Sequence, residues 1–195
     1  RAAFLLAFLI YLMIDFTGGL PWKHSTCNYF NYLADAFLHG QLELRILPAY
    51  ITDLVFFNGN YYLYWPPFPA VVMMPFVLLL GVNVSDVLVT LAVGAFNVGM
   101  FSTVLNAVNA RGLISLPAVK RAWLVIFFAF GTVHLTLAPN GNVWSTSQVV
   151  AVACLLIAYY AAIAMQGWKA YLVAGLGMAA ALATRYPLIL AGVWP

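Results

Sequence analysis

The stretch "SDVLVTLAVGAFNVGMFSTVLNAV", Ser85 to Val108, decides the fold class. Ser85 and Asp86 read as a helix cap, and from Val87 to Val108 no charged residue appears. A bilayer core about 30 Å thick is crossed by roughly 20 apolar helical residues, so this run predicts a membrane span. The composition agrees: the chain of 195 residues is 65% hydrophobic and 7% charged, against about 25% charged in soluble domains. Eight basic and five acidic side chains do not cover the surface of a soluble domain of this size. The expected class is an all-α, polytopic transmembrane bundle.

Outward from that run lie five more apolar windows: Ala2 to about Leu20, Pro67 to Val84, Ala122 to Ala138, Ser147 to Met165, and Tyr171 to the end. Together they predict one transmembrane domain over 1–195 with about six spans. "IDFTGGLPW" offers no small-x-small cleavage site, so the first window reads as a retained span. Arg1 in place of an initiator Met, and an apolar segment ending at Pro195, suggest the N-terminal portion of a longer chain. Gly175, Ala179 and Ala183 form a smooth strip suited to close helix approach. Cys154, inside an apolar run, reads as a buried hydrophobe, and no Cys/His spacing resembles a zinc site. The net charge of +3 is spread out, with no basic run that would predict nucleic-acid binding.

The one long connection, 21–66, contains "TCNYFNYLADAFLHGQL", Thr26 to Leu42. Phe30, Leu33, Ala34, Phe37 and Leu38 recur at i, i+3, i+4, i+7 and i+8, the spacing of a one-sided helix. Thr26 would cap it and Gly40 end it. A helix over about 27–39 is too short and polar to cross, so it is expected to lie flat at the membrane surface. Its polar face, Asn28, Asn31, Asp35 and His39, would look toward water or into a cavity between the spans. Four of the five acids, Asp15, Asp35, Glu43 and Asp53, lie in or beside this loop, and gathered carboxylates suggest a site. Asp15 follows an uncharged run and sits at the mouth of the membrane. Tyr61, Tyr62, Tyr64 and Trp65 suit a membrane–water boundary. Within spans, Arg185 needs a partner or cavity and suits an anionic group such as a phosphate. His134 reads as a packed, hydrogen-bonded histidine.

The segments "YLADAFLHGQLEL", "DLVFFNGNYYLYWPPFPAVVMMPFVLLLG", "FGTVHLTLAPNGNVWSTSQ" and "ALATRYP" together resemble integral-membrane glycosyltransferases of the GT-C type. The likeness is to the protein O-mannosyltransferase and aminoarabinose-transferase group. It implies a long extracytoplasmic first loop with membrane-parallel helices over a cavity. It also implies a polyprenyl-phosphate sugar donor, an acid after the first span acting as base on the acceptor, and inversion at the anomeric carbon. Many such proteins carry an Asp-Glu pair where this chain has Thr26 and Cys27. The candidate bases are therefore Asp15, then Asp53, then Asp35, the last also placed for an i+4 contact with His39. Arg185, Arg45 and Lys23 are the candidates for the donor phosphate. Asn28, Asn31, His39, Tyr61, Tyr62 and Trp65 are the candidate cavity lining. No cofactor is expected, the metal requirement is left open, and no glycine-rich phosphate loop is present. The expected partners are the lipid-linked donor and membrane lipid; the acceptor is not specified. The expected location is a multi-pass membrane protein, in the plasma membrane if prokaryotic, with an extracytoplasmic active face. A transporter or lipid flippase, and a non-catalytic subunit of the same fold, are the alternatives. One conflict stands within this reading. Six spans starting from a cytoplasmic Arg1 place Arg111, Lys120, Arg121 and Lys169 outside, against the positive-inside rule.

Overall fold

The computed structural model describes residues 2–19 and 21–193, so expectations attached to Arg1, Leu20 and Pro195 lie outside it. In chain order the described residues form α1 (Ala2–Gly18), α2 (Tyr29–Leu38), β1 (Leu54–Phe57), β2 (Asn60–Leu63), α3 (Phe68–Leu80) and α4 (Asp86–Ala110). Then follow α5 (Ala118–Phe130), α6 (His134–Leu137), α7 (Val143–Ala164), α8 (Trp168–Leu182) and a 3-10 stretch, Tyr186–Val193. Two helices, α4 with 25 residues and α7 with 22, are long and apolar enough to cross a membrane. The other four windows do not become long unbroken helices. α1, α3 and α8 are apolar but have 17, 13 and 15 residues. The fourth window breaks at Gly131 into α5 and the single turn α6.

Caps explain where the two long helices begin. Ser85 caps α4, its hydroxyl accepting from the Leu88 amide at 3.1 Å. Asn142 does the same for α7 through the Ser145 amide at 2.8 Å. The two helices meet along a seam that hides polar groups. Thr90 and Thr146 share a hydrogen bond of 2.7 Å, and Asn97 donates to the Val149 carbonyl at 2.9 Å. Away from water such groups must find partners in the neighbouring helix. On the other side of α7, Gly177 brings α8 so close that a Cβ there would lie 3.0 Å from the Cys154 carbonyl oxygen. The contact strip of α8 is thus Ala170, Gly177 and Ala181, which are buried. Gly175, expected to lie on that strip, has open space where a Cβ would be. Cys154 is buried, as a small hydrophobe in a helix seam should be.

α1 packs along α4, with Phe4 against Gly99, and reaches α5 through the Tyr11 hydroxyl, which donates to the Ala129 carbonyl at 2.9 Å. His134 is buried beside it. Its Nε2 lies 3.1 Å from the Gly94 carbonyl and its ring stacks on Phe128 at 4.8 Å. This is the packed histidine the sequence suggested.

The long connection departs from expectation in two ways. First, it is not all helical: β1 and β2 form an antiparallel hairpin in which Phe57 faces Asn60. Asn58 and Gly59 both take positive φ, 48° and 84°, the two-residue turn that Asn-Gly favours because its twist matches the strands. Second, α3 starts and finishes at the same end of the molecule. The Phe68 amide at its start donates to the Ala183 carbonyl beyond α8 at 3.0 Å. Past its other end, the Val82 and Val84 carbonyls accept from Asn31 of α2, each at 2.9 Å.

The same tracing sorts every helix end. At one end, the Ser85 hydroxyl donates to the Pro21 carbonyl at 2.6 Å and the Val143 amide to the Cys27 carbonyl at 3.1 Å. This end gathers the close of α1, the long connection, α3, the starts of α4 and α7, and the close of α8. At the opposite end, Arg111 after α4 donates to the Ala164 carbonyl of α7 at 3.0 Å. There the Leu116 amide, before α5, donates to the Asn109 side chain at 2.8 Å. All five acids therefore sit at the first end, and Arg111, Lys120, Arg121 and Lys169 at the second.

Candidate functional site

α2 was expected to show its polar face to water or a cavity. Instead Asn28 and Asn31 are buried, and their amides donate to the carbonyls that follow α3, Asn28 to Val82 at 3.4 Å. They are clamps that seat α2 on α3. The helix is shorter than expected, starting at Tyr29 after Asn28, and Thr26 does not cap it. Its far end does follow the sequence: Gly40 takes φ 75°. The Gly40 and Gln41 amides return to Phe37 and Ala36, the double closure of a Schellman turn.

The acids fall into different environments. Asp35 forms an ion pair with Arg45 at 3.2 Å, so two candidates for separate roles occupy each other. His39, a turn later, donates through Nδ1 to the Asp35 carbonyl at 2.8 Å and sits 3.6 Å from its carboxylate. Asp86, read as part of a helix cap, accepts from the Ser25 amide at 2.7 Å and its hydroxyl at 2.5 Å. It anchors the connection to α4. Asp15 is half-buried near the close of α1, with one oxygen buried and unpartnered among the described residues.

Asp53 has the most distinctive setting. It is buried just before β1. One oxygen accepts from the Tyr64 hydroxyl at 3.1 Å; the other is buried with no partner among the described residues. The hairpin makes this contact by folding Tyr64, just past β2, back over the residue that precedes β1. Tyr29, from the first turn of α2, is fully buried, and its hydroxyl has no hydrogen-bond partner among the described residues. Burial, followed by the charges of Cys27 and Asp53, pushes this phenol above its usual pKa. Burial and the hydrogen bond to Asp53 do the same for Tyr64. Both phenols stay protonated and are donors.

Next to Tyr64 the chain reaches Trp65, whose ring has the Arg185 guanidinium 5.7 Å from its centre. Arg185 also donates to the Ser147 hydroxyl at 3.3 Å. No carboxylate pairs with it among the described residues. A cation held by a ring and a hydroxyl keeps its charge available. The Trp65 Nε1 is buried without a partner among the described residues. Lys23 is exposed, and Tyr61 and Tyr62 are half-buried in β2, where Tyr61 stacks on Phe56 at 5.0 Å. A chain of contacts, Asp53 to Tyr64, Tyr64 to Trp65 at 5.6 Å and Trp65 to Arg185, links three of the candidates. Asp35 and Arg45 pair with each other beside the same hairpin, where the Leu44 amide donates to the Tyr61 carbonyl at 2.9 Å. Sequence reasoning passed over Tyr29, Tyr64 as a hydrogen-bond donor, and Ser147. The signal for Tyr64 was the Asn-Gly turn, which fixes what lies across from Asp53.

A hollow of about 680 Å³ lies between α3 and α4, walled by Trp22, Phe76, Leu80, Leu88 and Phe96. Asp15, Asp35 and Asp53 do not line it. No group of three potential metal ligands occurs among the described residues. No family model, curated protein or solved structure matches this chain. The site is therefore read from its own chemistry.

Proposed function

We propose that the chain is a GT-C-like membrane glycosyltransferase that moves a sugar from a polyprenyl-phosphate carrier to an acceptor hydroxyl, with Asp53 as the base. The observation that carries this reading is the buried Asp53 carboxylate, one oxygen held by Tyr64 and the other unpartnered. In this role its unpartnered oxygen is the atom that accepts the proton of an acceptor hydroxyl brought within hydrogen-bond reach. The acceptor oxygen attacks the anomeric carbon as its proton passes to Asp53. The bond from that carbon to the phosphate oxygen breaks, and polyprenyl phosphate leaves as the anion. Arg185, with no carboxylate partner among the described residues, offers the charge that stabilises the leaving phosphate. Tyr64 keeps Asp53 in place. Asp35 ranks behind Asp53 because it is already paired with Arg45 at 3.2 Å.

The orientation follows from the same arrangement. In this reading α1, α4, the broken α5–α6 pair, α7 and α8 are five crossings, and α3 lies across one end with α2. The four basic residues of the other end then face the cytoplasm, as the positive-inside rule requires, and the acids face outward. The conflict raised by six spans disappears once the second window is not a crossing.

A second reading, a membrane subunit of this fold without turnover, is favoured by Thr26 and Cys27 in place of an acidic pair. One experiment separates the two. Purified full-length protein is offered polyprenyl-phosphate sugars and acceptors, and sugar transfer is scored for wild type, Asp15→Asn, Asp35→Asn and Asp53→Asn. The transferase reading expects Asp53→Asn to lose on the order of 100-fold or more in rate, the scale of general-base catalysis, while Asp35→Asn retains turnover. Loss at Asp15 with Asp53→Asn active would move the base to Asp15. No transfer by wild type would overturn the transferase reading, leaving the transporter if substrate moves across vesicles and the non-catalytic subunit if it does not.

A further inference from the structure

At the basic end, α1 and α5 splay apart. They are joined where Tyr11 bonds Ala129, and from there toward Arg121 a crevice of about 520 Å³ opens between them, floored by α4. Ala129 to Arg121 is eight residues of helix, about 12 Å of depth. The walls are apolar, with Leu6, Val125 and Ile126 facing in; the mouth carries Ser102, Asn106 and Arg121. Neither Ser102 nor Asn106 has a side-chain hydrogen bond among the described residues. Arg121 spends one N–H on the Leu116 carbonyl, leaving the rest of its five donors free. Lys120 stands beside it, and no acid lies at this end.

We infer that this crevice binds an anionic glycerophospholipid, one acyl chain in the wedge and the phosphate at Arg121, Ser102 and Asn106. The charge at the mouth selects the occupant: a basic pocket between helices, with an apolar slot below it, matches a lipid whose head is negative and whose tail is oil. A free phosphate would leave the slot unfilled. A zwitterionic lipid brings the same phosphate but adds a cationic head group, which finds no acid at this mouth and is repelled by Arg121 and Lys120. The site stands apart from the transferase reading, since it shares no residue with it.

The test is native mass spectrometry of the detergent-purified full-length protein, titrated with phosphatidylglycerol or phosphatidylcholine. Wild type is expected to retain phosphatidylglycerol preferentially. Arg121→Gln is expected to weaken that retention about five-fold, the ratio set by ~1 kcal/mol per basic residue at a headgroup. Arg121→Lys should keep the preference, and Lys169→Gln, which removes a charge from the same end but not from the crevice, should leave it unchanged. Ala122→Leu, which fills the slot, should lower retention of both lipids. Equal retention of the two lipids by wild type would overturn the site. So would a loss in Lys169→Gln matching that in Arg121→Gln, or full retention in Ala122→Leu.

Discussion

Asn31, fully buried, gives its amide to two backbone carbonyls, Val82 and Val84, at 2.9 Å each. Periodicity in the sequence marks Asn31 as polar and places it opposite the apolar stripe of α2. It does not say whether the polar group meets water or another backbone, and here it meets backbone. Asn31→Leu should therefore destabilise the fold by about 2 kcal/mol, since both carbonyls lose their donor; thermal unfolding in detergent reads this. An unchanged midpoint would mean the carbonyls find water. Tyr29 gives a second test. Its folded pKa is raised, chiefly by burial, whereas the unfolded phenol titrates near pH ~10. Below that both states hold the proton and nothing changes. Above it the unfolded chain releases the proton while the folded one keeps it, so stability falls as pH rises. Tyr29→Phe should make that alkaline loss shallower in a stability–pH profile.

The elements were legible where a local signal fixes the backbone. Ser85 before α4 and Gly40 after α2 did what their residue types require. The hairpin was equally legible in "FFNGNYYL", but its aromatics suit a membrane boundary as well as a strand, and the all-helical expectation absorbed them. Hydropathy likewise could not show that α3 stays at one end, because an apolar helix of 13 residues looks the same lying flat as standing in a bilayer. Two substitutions test the elements. Gly59→Val places a β-branched residue at φ 84°, costing roughly 1–2 kcal/mol. It should loosen the hairpin, measured as faster proteolysis at Phe56–Phe57, and, if the proposed transferase reading holds, slow sugar transfer by freeing Tyr64 from Asp53. Gly141→Ala would set a Cβ 2.3 Å from the Val87 amide nitrogen, a backbone atom that cannot rotate aside. It should cost on the order of 1–3 kcal/mol, while Gly175→Ala, in open space, should be neutral or slightly stabilising. Equal melting temperatures for the two alanine variants would contradict the packing described between α4 and the segment before α7.

At the scale of the whole molecule, the sequence carried the helical class and two helices long and apolar enough to cross a membrane through composition, and the grouping of acids through position. It did not carry where each apolar window lies in the fold, because that is fixed by contacts far apart in the chain, such as Phe68 with Ala183. The separation of charge between the two ends underlies the proposed orientation. Single-cysteine variants at Phe57, Asn83 and Leu113, each exposed, read it directly when Cys27 and Cys154 are replaced by alanine. An impermeant maleimide applied to intact cells should label Phe57→Cys and Asn83→Cys but reach Leu113→Cys only after permeabilisation. Labelling of Leu113→Cys together with Phe57→Cys, with Asn83→Cys protected, would mean that α3 crosses the membrane and would contradict five crossings with the acids outside.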